Sequence, residues 1–246
     1  MRSTAFSMHY FEFSYLWYPV NKIDLKTFLQ ISGLFIISRL LVLVSFIIAL
    51  HYYSSYSLRG TNFQYCKSWL LNYLSCWDSG WYLDIAKNGY VFNDLSQGQS
   101  NYGFFPFYPI AMRILGQVVH NDLIAGIIIS NVFLFLSSLF LFLLSYNIYK
   151  NRKTAFITVL VLFFFPGSYL LSGVFSESAF ICFSIMCIYF FKTDNYFLCG
   201  LSGFFLSLTR PFGIMILLPL SLMYIFRHGL EFRSKILYLI TSVRLN

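Results

Sequence analysis

The stretch LQISGLFIISRLLVLVSFIIAL, residues Leu29–Leu50, decides the fold class. It is an apolar run of the length that a bilayer-crossing helix needs, about 20 residues. The preceding residues carry Glu12, Asp24 and lysines and lack a small-residue cleavage site, so we expect an anchor and not a removed signal. Arg39 is the one charge inside the run, and because charge in lipid is costly we expect it to face other helices.

The remainder of the chain repeats this apolar pattern, which indicates a membrane protein. Hydrophobic residues make up 58% of the sequence, charged residues only 11%, and the mean hydropathy is +0.68. The alternation typical of membrane barrels is absent, so we predict an all-α, polytopic transmembrane protein with about six to seven spans. Besides Leu29–Leu50, the candidate spans are Leu123–Tyr149, Thr154–Ser172, Ser178–Phe191, Tyr196–Thr209 and Phe212–Phe226.

The net charge of +8 has a membrane explanation, and we predict no nucleic-acid partner. Positive residues gather in short loops beside the spans, so we place the N-terminus and these loops in the cytoplasm. Pro106–Val119 must then not span; with Arg113 in its middle, it is expected to be an amphipathic helix on the membrane surface. The predicted inner residues are Arg2, Lys22, Lys26, Lys150, Arg152, Lys153, Lys192, Arg227, Arg233 and Lys235.

The charge pattern also predicts the domain organisation. Residues 1–28 form a cytoplasmic N-terminal segment, and residues 29–246 form the transmembrane domain. The large first outer loop, residues 51–122, belongs to that domain. The closing residues ILYLITSVRLN begin, from about residue 236, a span too short to cross, so we expect a truncated chain.

The outer loop contains CWDSGWYLDIAKNGY, residues Cys76–Tyr90, for which two interpretations stay open. In the first, Asp78 is the N-cap of a short interfacial helix on which Trp77, Trp81 and Ile85 recur at helical spacing. In the second, Asp78 is a general base at the membrane rim, flanked by indoles that stack on a sugar or an isoprenoid. Such a base suits inverting transfer from a lipid-linked phosphate sugar, because phosphate leaves without a strong acid and needs positive charge nearby.

Four motifs resemble, in order, those of the GPI mannosyltransferase 2 (PIG-V) family and its prokaryotic relatives. They are CWDSGWYLDIAKNGY, NYGFFPFYPIAMRILG, FFFPGSYLLSGVFSESAF and LSLTRPFGIMILLPL, and they cover most of the chain from Cys76 to about Leu220. The resemblance implies a GT-C fold with surface helices in the first outer loop. It also implies a polyprenyl- or dolichyl-phosphate-linked mannose donor and Asp78 as the catalytic aspartate. Family members are longer than this chain.

We predict a membrane glycosyltransferase, by resemblance a mannosyltransferase, that modifies a lipid-linked or glycan acceptor on the outer or luminal face. Asp78 is the catalytic residue, and no cofactor or metal site is predicted because no Cys/His cluster has zinc-ligand spacing. Arg210 is expected either to reach the donor phosphate or to snorkel at the interface, and Glu177 either to open a span as an ordinary acid or to touch a head group. The candidate donor- and acceptor-binding residues are Trp77, Trp81, Tyr82, Lys87, Glu177 and Arg210.

Several further expectations complete the prediction. Asp84 is expected to pair with Lys87 or Lys67, and a disulfide between Cys66 and Cys76 is open. The expected location is a prokaryotic cytoplasmic membrane, or the ER membrane in a eukaryote. The expected contacts there are membrane lipids, and a partner subunit is left open. Two alternatives remain: a catalytically inactive or truncated membrane subunit, and a secondary transporter, which should show paired helix interruptions in two related halves.

Overall fold

A computed structural model describes residues 23–53, 68–91 and 100–227. Every regular element in these ranges is helical, which confirms the all-α prediction. The α-helices are α1 (Leu25–Tyr53), α2 (Trp69–Tyr73), α3 (Ser79–Asn88), α4 (Phe107–Val119), α5 (Asp122–Tyr149), α6 (Arg152–Phe164), α7 (Glu177–Lys192) and α8 (Tyr196–Thr209). Short 3-10 turns cover Asn101–Gly103, Pro166–Leu171 and Pro211–Ile216, and the last continues as the helix Pro211–Arg227.

Within residues 23–53, 68–91 and 100–227, two helices are long and apolar enough to cross a membrane, namely Leu25–Ala49 within α1 and Asp122–Tyr149, each with a mean hydropathy of 2.5. The prediction of about six to seven spans is therefore not confirmed. The predicted span Thr154–Ser172 is interrupted, because α6 ends at Phe164 and the chain turns at Pro166. Proline lacks the N–H that a continuing helix requires.

Helix α5 lies at the centre of the bundle and packs against α4, α6 and α7. Its ring contacts give the direction of α7: Phe133 meets Phe183 at 5.2 Å, and Phe140 meets Tyr189 at 5.5 Å. Both sequences advance together, so α5 and α7 run parallel. Helix α8 returns beside α7, where Phe183 and Phe205 stack at 5.5 Å.

Arg39 fastens α1 to the end of α6. Its guanidinium donates to the backbone oxygens of Phe163 and Ser168, both at 3.0 Å, and to Ser172 Oγ at 2.6 Å. These carbonyls lie where the Pro166 break leaves the helix ladder incomplete, so the arginine satisfies them. The expectation that Arg39 faces other helices is confirmed.

Helix α4 starts and ends where the amphipathic helix was expected. Tyr108, Met112 and Gly116 are buried, whereas Ile110 and Ile114 are more than half exposed. Pro106 precedes the first turn, where a missing N–H costs nothing. The placement of α4 on a membrane surface stays a prediction.

The predicted inner basic residues that the structure describes lie at one end of the bundle. The starts of α1 and α6 are adjacent, since Arg152 lies 3.8 Å from Asp24 and donates to Gln30 at 3.2 Å. Because α5 and α7 run parallel, their C-terminal ends share this side, and Arg227 joins them through Asp194. We call this the basic end; Arg2, Lys22, Arg233 and Lys235 lie outside the described residues.

Candidate functional site

The candidate site lies at the opposite end of the bundle, where α3 meets the segment Ser172–Ser176. All five residues of that segment are buried. Val174 N–H donates to the Leu74 carbonyl at 2.7 Å, and Ser79 Oγ donates to the Val174 carbonyl at 2.9 Å. These bonds fix the start of α3 against the bundle.

Asp78 occupies the N-cap position of α3 but does not cap it with its side chain. A capping residue normally has extended backbone, whereas Asp78 is helical (φ −67°, ψ −14°). Its carboxylate is exposed and makes no hydrogen bond or ion pair with any described residue. The capping interpretation is therefore wrong for the side chain, and the carboxylate is left for another role.

Trp77 precedes the helix and takes the left-handed conformation, with φ 50°. That conformation is rare and strained for a bulky residue, and such strain clusters at functional sites. The indole is 56% exposed and its ring lies 6.3 Å from that of Phe175. The residue thus reverses the chain at Asp78 and presents an exposed aromatic surface beside the carboxylate.

The aromatic residues of α3 do not share one exposed face, contrary to expectation. Tyr82 and Ile85 are each only 4% exposed, because this face packs on the bundle. Trp81 is half-buried and stacks on Phe104 at 5.8 Å. Of the two tryptophans, only Trp77 presents a largely exposed ring.

Tyr82 reaches the bundle through its hydroxyl, which lies 2.8 Å from Ser176 Oγ. Burial raises the pKa of Tyr82, and the bond to Ser176 and the charge of Arg210 partly offset that shift. The charges of Glu177 and Asp78 raise the pKa further. The Tyr82 phenol therefore stays protonated at neutral pH, and the charges of both carboxylates, Glu177 and Asp78, affect its pKa.

Arg210 and Glu177 form an ion pair, with Nη2 and Oε1 2.5 Å apart. Arg210 Nε also donates to Ser176 Oγ at 3.0 Å. The side chains are 35% and 30% exposed, so the pair borders solvent and is not sealed in the core. The snorkelling interpretation of Arg210 did not include a partner within the protein. The structure gives its side chain two partners, Glu177 and Ser176.

Glu177 begins α7, as expected of a first-turn acid. Its Oε2 atom is buried and has no hydrogen-bond partner among the described residues. Ser176 occupies the N-cap position, but its hydroxyl makes no cap bond and joins Tyr82 to Arg210 instead. The sequence signal that could have identified Ser176 is its position, a serine at the break between two apolar runs.

Lys87 and Asp84 lie away from this junction. Lys87 is exposed in the last turn of α3, about 13 Å along the helix axis from Asp78. Asp84 accepts from Asn88 at 2.8 Å and from Asn101 at 3.1 Å, so its expected pairing with Lys87 is wrong. The other expected partner, Lys67, and the disulfide candidate Cys66 lie outside the described residues.

The site is thus a junction of α3, α7 and α8, formed by Tyr82, Ser176, Glu177 and Arg210, with Asp78 and Trp77 at its rim. We call the four-residue cluster the Ser176 junction. Within the described ranges, no group of three or more His, Cys, Asp or Glu residues is arranged to hold a metal ion.

Comparison with known protein families supplies a match over most of the chain. The family model described as "Mannosyltransferase (PIG-V)" matches residues 16–216. Neither the curated proteins nor the solved structures yield a match. The matched range includes every residue of the site.

Proposed function

The chain belongs to the mannosyltransferase (PIG-V) family of membrane glycosyltransferases, and from this we propose that Asp78 is the base that activates its acceptor. The donor in this proposal is mannose linked to a polyprenyl or dolichyl phosphate. The acceptor is a hydroxyl of a lipid-linked or free glycan. The observation that carries the proposal is the exposed Asp78 carboxylate, which has no partner in the described structure and stands at the rim of the Ser176 junction.

The chemistry needs one carboxylate and one cationic region. Asp78 takes the proton from the acceptor hydroxyl as its oxygen attacks the anomeric carbon of mannose. The bond from that carbon to the phosphate oxygen breaks, and the lipid phosphate leaves with the electron pair. Attack from the face opposite the leaving group inverts the anomeric centre.

Arg210 is the candidate for the cationic region. A guanidinium carries five N–H donors, and the bonds described for Arg210 involve Nε and Nη2. Nη1 is therefore available for phosphate oxygens, and the side chain is about a third exposed. A fork of donors suits phosphate better than a single ammonium does.

The neighbouring residues receive distinct roles. Trp77 offers its exposed ring as a stacking surface for the sugar or the isoprenoid. Tyr82 and Glu177 act on Arg210 as positioning residues, Glu177 directly and Tyr82 through the shared Ser176 hydroxyl. Trp81, already stacked on Phe104, lines the rim, and Lys87 stays a predicted phosphate neighbour without a contact that supports it.

The proposed side of the membrane follows from charge. The described basic loops gather at the basic end, and cytoplasmic loops carry the excess of lysine and arginine. Asp78 and the Ser176 junction lie at the other end of the bundle, which we assign to the outer or luminal face. A multi-pass topology belongs to this proposal.

The test is mannose transfer in membranes, with polyprenyl- and dolichyl-phosphate mannose as donors and the rate divided by the amount of folded protein. Asp78→Asn should slow transfer by about 10²–10⁴-fold, the usual contribution of a general base. Protein abundance should not change, because the side chain makes no capping bond. Asp122→Asn, at the start of α5, is the matched control because its carboxylate also makes no hydrogen bond or ion pair with a described residue; it should change the rate by less than about threefold.

Two results would contradict different parts of the proposal. A native protein that uses neither donor would remove the proposed substrate class. A native protein that is active, with an equally active Asp78→Asn variant, would keep the substrate class and remove Asp78 as the base.

A further inference from the structure

A cavity of about 460 Å³ lies at the basic end, between the starts of α1 and α6. It is far from the Ser176 junction, and the transfer chemistry does not use it. Its lining combines cationic and apolar side chains: Lys26, Gln30, Arg152, Lys153, Phe156 and Ile157. We call it the α1–α6 cavity.

The charge of this cavity is strongly positive. Lys26 and Lys153 are exposed, and neither ammonium pairs with any described residue. Arg152 lies over the Phe156 ring at 5.6 Å and donates to Gln30. Among the described residues, the carboxylate beside this cavity is that of Asp24, which lies 3.8 Å from Arg152; both side chains are about half exposed, so this pair is weak. Within the described part of the chain, three cations therefore face one carboxylate.

The apolar part of the cavity continues along α6. Ile157 is 57% exposed, Val161 62% and Phe164 41%, and their spacing of four and three residues places them on one helix face. They form a strip about 10 Å long that runs from the cationic rim toward the middle of the bundle. A free anion would use the cations and leave this strip uncovered, whereas an amphiphile would cover both.

We propose that the α1–α6 cavity binds an anionic phospholipid of the surrounding membrane. Its phosphodiester lies between Lys26 and Lys153, and one acyl chain follows Ile157, Val161 and Phe164. Basic pockets between membrane helices on the cytoplasmic side are the setting in which such head groups bind. The site lies on the opposite side of the bundle from the proposed donor, so it is a structural or regulatory lipid site and not a substrate site.

The test uses the full chain purified in neutral detergent and titrated with dioleoyl-phosphatidylglycerol or dioleoyl-phosphatidylcholine, with bound lipid counted by native mass spectrometry. The native protein should retain phosphatidylglycerol in preference to phosphatidylcholine. Lys26→Gln/Lys153→Gln should weaken phosphatidylglycerol binding by about 25-fold, and Lys153→Gln alone by about fivefold, at roughly fivefold per cation.

The matched control is Arg113→Gln, which removes one exposed cation away from the basic end and gives the same net charge as Lys153→Gln. It should bind phosphatidylglycerol as the native protein does. Helix content and gel filtration establish that each variant is folded; should the double variant fail this check, Lys153→Gln decides alone.

Three results would overturn the proposal. Unchanged phosphatidylglycerol binding in folded Lys153→Gln or in the double variant would remove these lysines from any lipid site. Equal loss in the control would mean that net charge, not the cavity, attracts the lipid. Competition by inorganic phosphate at the same molar concentration as the lipid would identify a free-anion site.

Discussion

The Ser176 junction makes a quantitative prediction, because one hydroxyl serves both Tyr82 and Arg210. Ser176→Ala leaves the Tyr82 hydroxyl without a partner in a site only 4% exposed, which costs about 1–3 kcal/mol. The Arg210 guanidinium is about a third exposed, so water replaces its lost bond at little further cost. We expect a total loss of about 2–3 kcal/mol in the free energy of unfolding.

Tyr82→Phe removes the hydroxyl and leaves Ser176 bonded to Arg210, so it should cost about 1 kcal/mol. In the double variant no phenol hydroxyl is stranded, and the loss should be about 2 kcal/mol, less than the two single losses together. The coupling energy is then about 1–2 kcal/mol, within the range for residues that share a bond. Equilibrium unfolding in mixed detergent micelles, followed by circular dichroism, measures all three variants.

The control cycle pairs Tyr82→Phe with Ser184→Ala, since among the described residues Ser184 bonds only to the Phe180 carbonyl of its own helix. That pair should be additive within about 0.5 kcal/mol. A coupling energy below about 0.3 kcal/mol for Tyr82 and Ser176 would refute the shared-hydroxyl reasoning. So would a Ser176→Ala variant as stable as the native protein.

Three other predictions follow from the described contacts. Arg210→Lys should slow mannose transfer at least tenfold at normal abundance, because one ammonium cannot replace a fork that serves Ser176, Glu177 and phosphate; equal activity would make Arg210 an anchor only. Arg39→Gln should lower the free energy of unfolding by about 2–4 kcal/mol, since three bonds to the end of α6 are lost, and an unchanged unfolding curve would contradict that role. In sealed vesicles with the outer face exposed, an impermeant thiol reagent should label Lys87→Cys and not Lys153→Cys, each made in a Cys66→Ser/Cys76→Ser background so that the two native thiols of the outer loop do not react. The reverse labelling pattern would invert the topology.

Local pattern was sufficient for much of the fold. Helix α8 spans Tyr196–Thr209, the same residues as the predicted span, and α4 lies where Pro106 and the amphipathic pattern placed it. Hydropathy did not predict the break at Pro166. The mean hydropathy of this stretch stays high because leucine and phenylalanine flank Pro166. The helix nevertheless ends there, because proline cannot donate the backbone hydrogen bond that a continuing helix requires.

The site was predicted as a set of residues but not as an arrangement. Asp78, Glu177 and Arg210 stood out because charges beside membrane spans are costly. Their arrangement depends on contacts among α3, α7 and α8 at one end of the bundle, and the spacing of residues along the sequence does not predict those contacts. The capping interpretation of Asp78 failed for a related reason: the left-handed Trp77 turns the chain first, and bulky side chains give no sequence signal for that conformation.

The Ser176 junction also sets an order in time during synthesis. Ser176 follows Tyr82 by 94 residues, and Arg210 follows Ser176 by another 34. At 5–20 residues per second the ribosome needs about 2–7 s to add that last interval. During those seconds the nascent chain already holds the Glu177 carboxylate and lacks the cation that neutralises it. The synthesis of Arg210 is therefore the event that completes the ion pair, and until then the Glu177 carboxylate has only water to stabilise its charge.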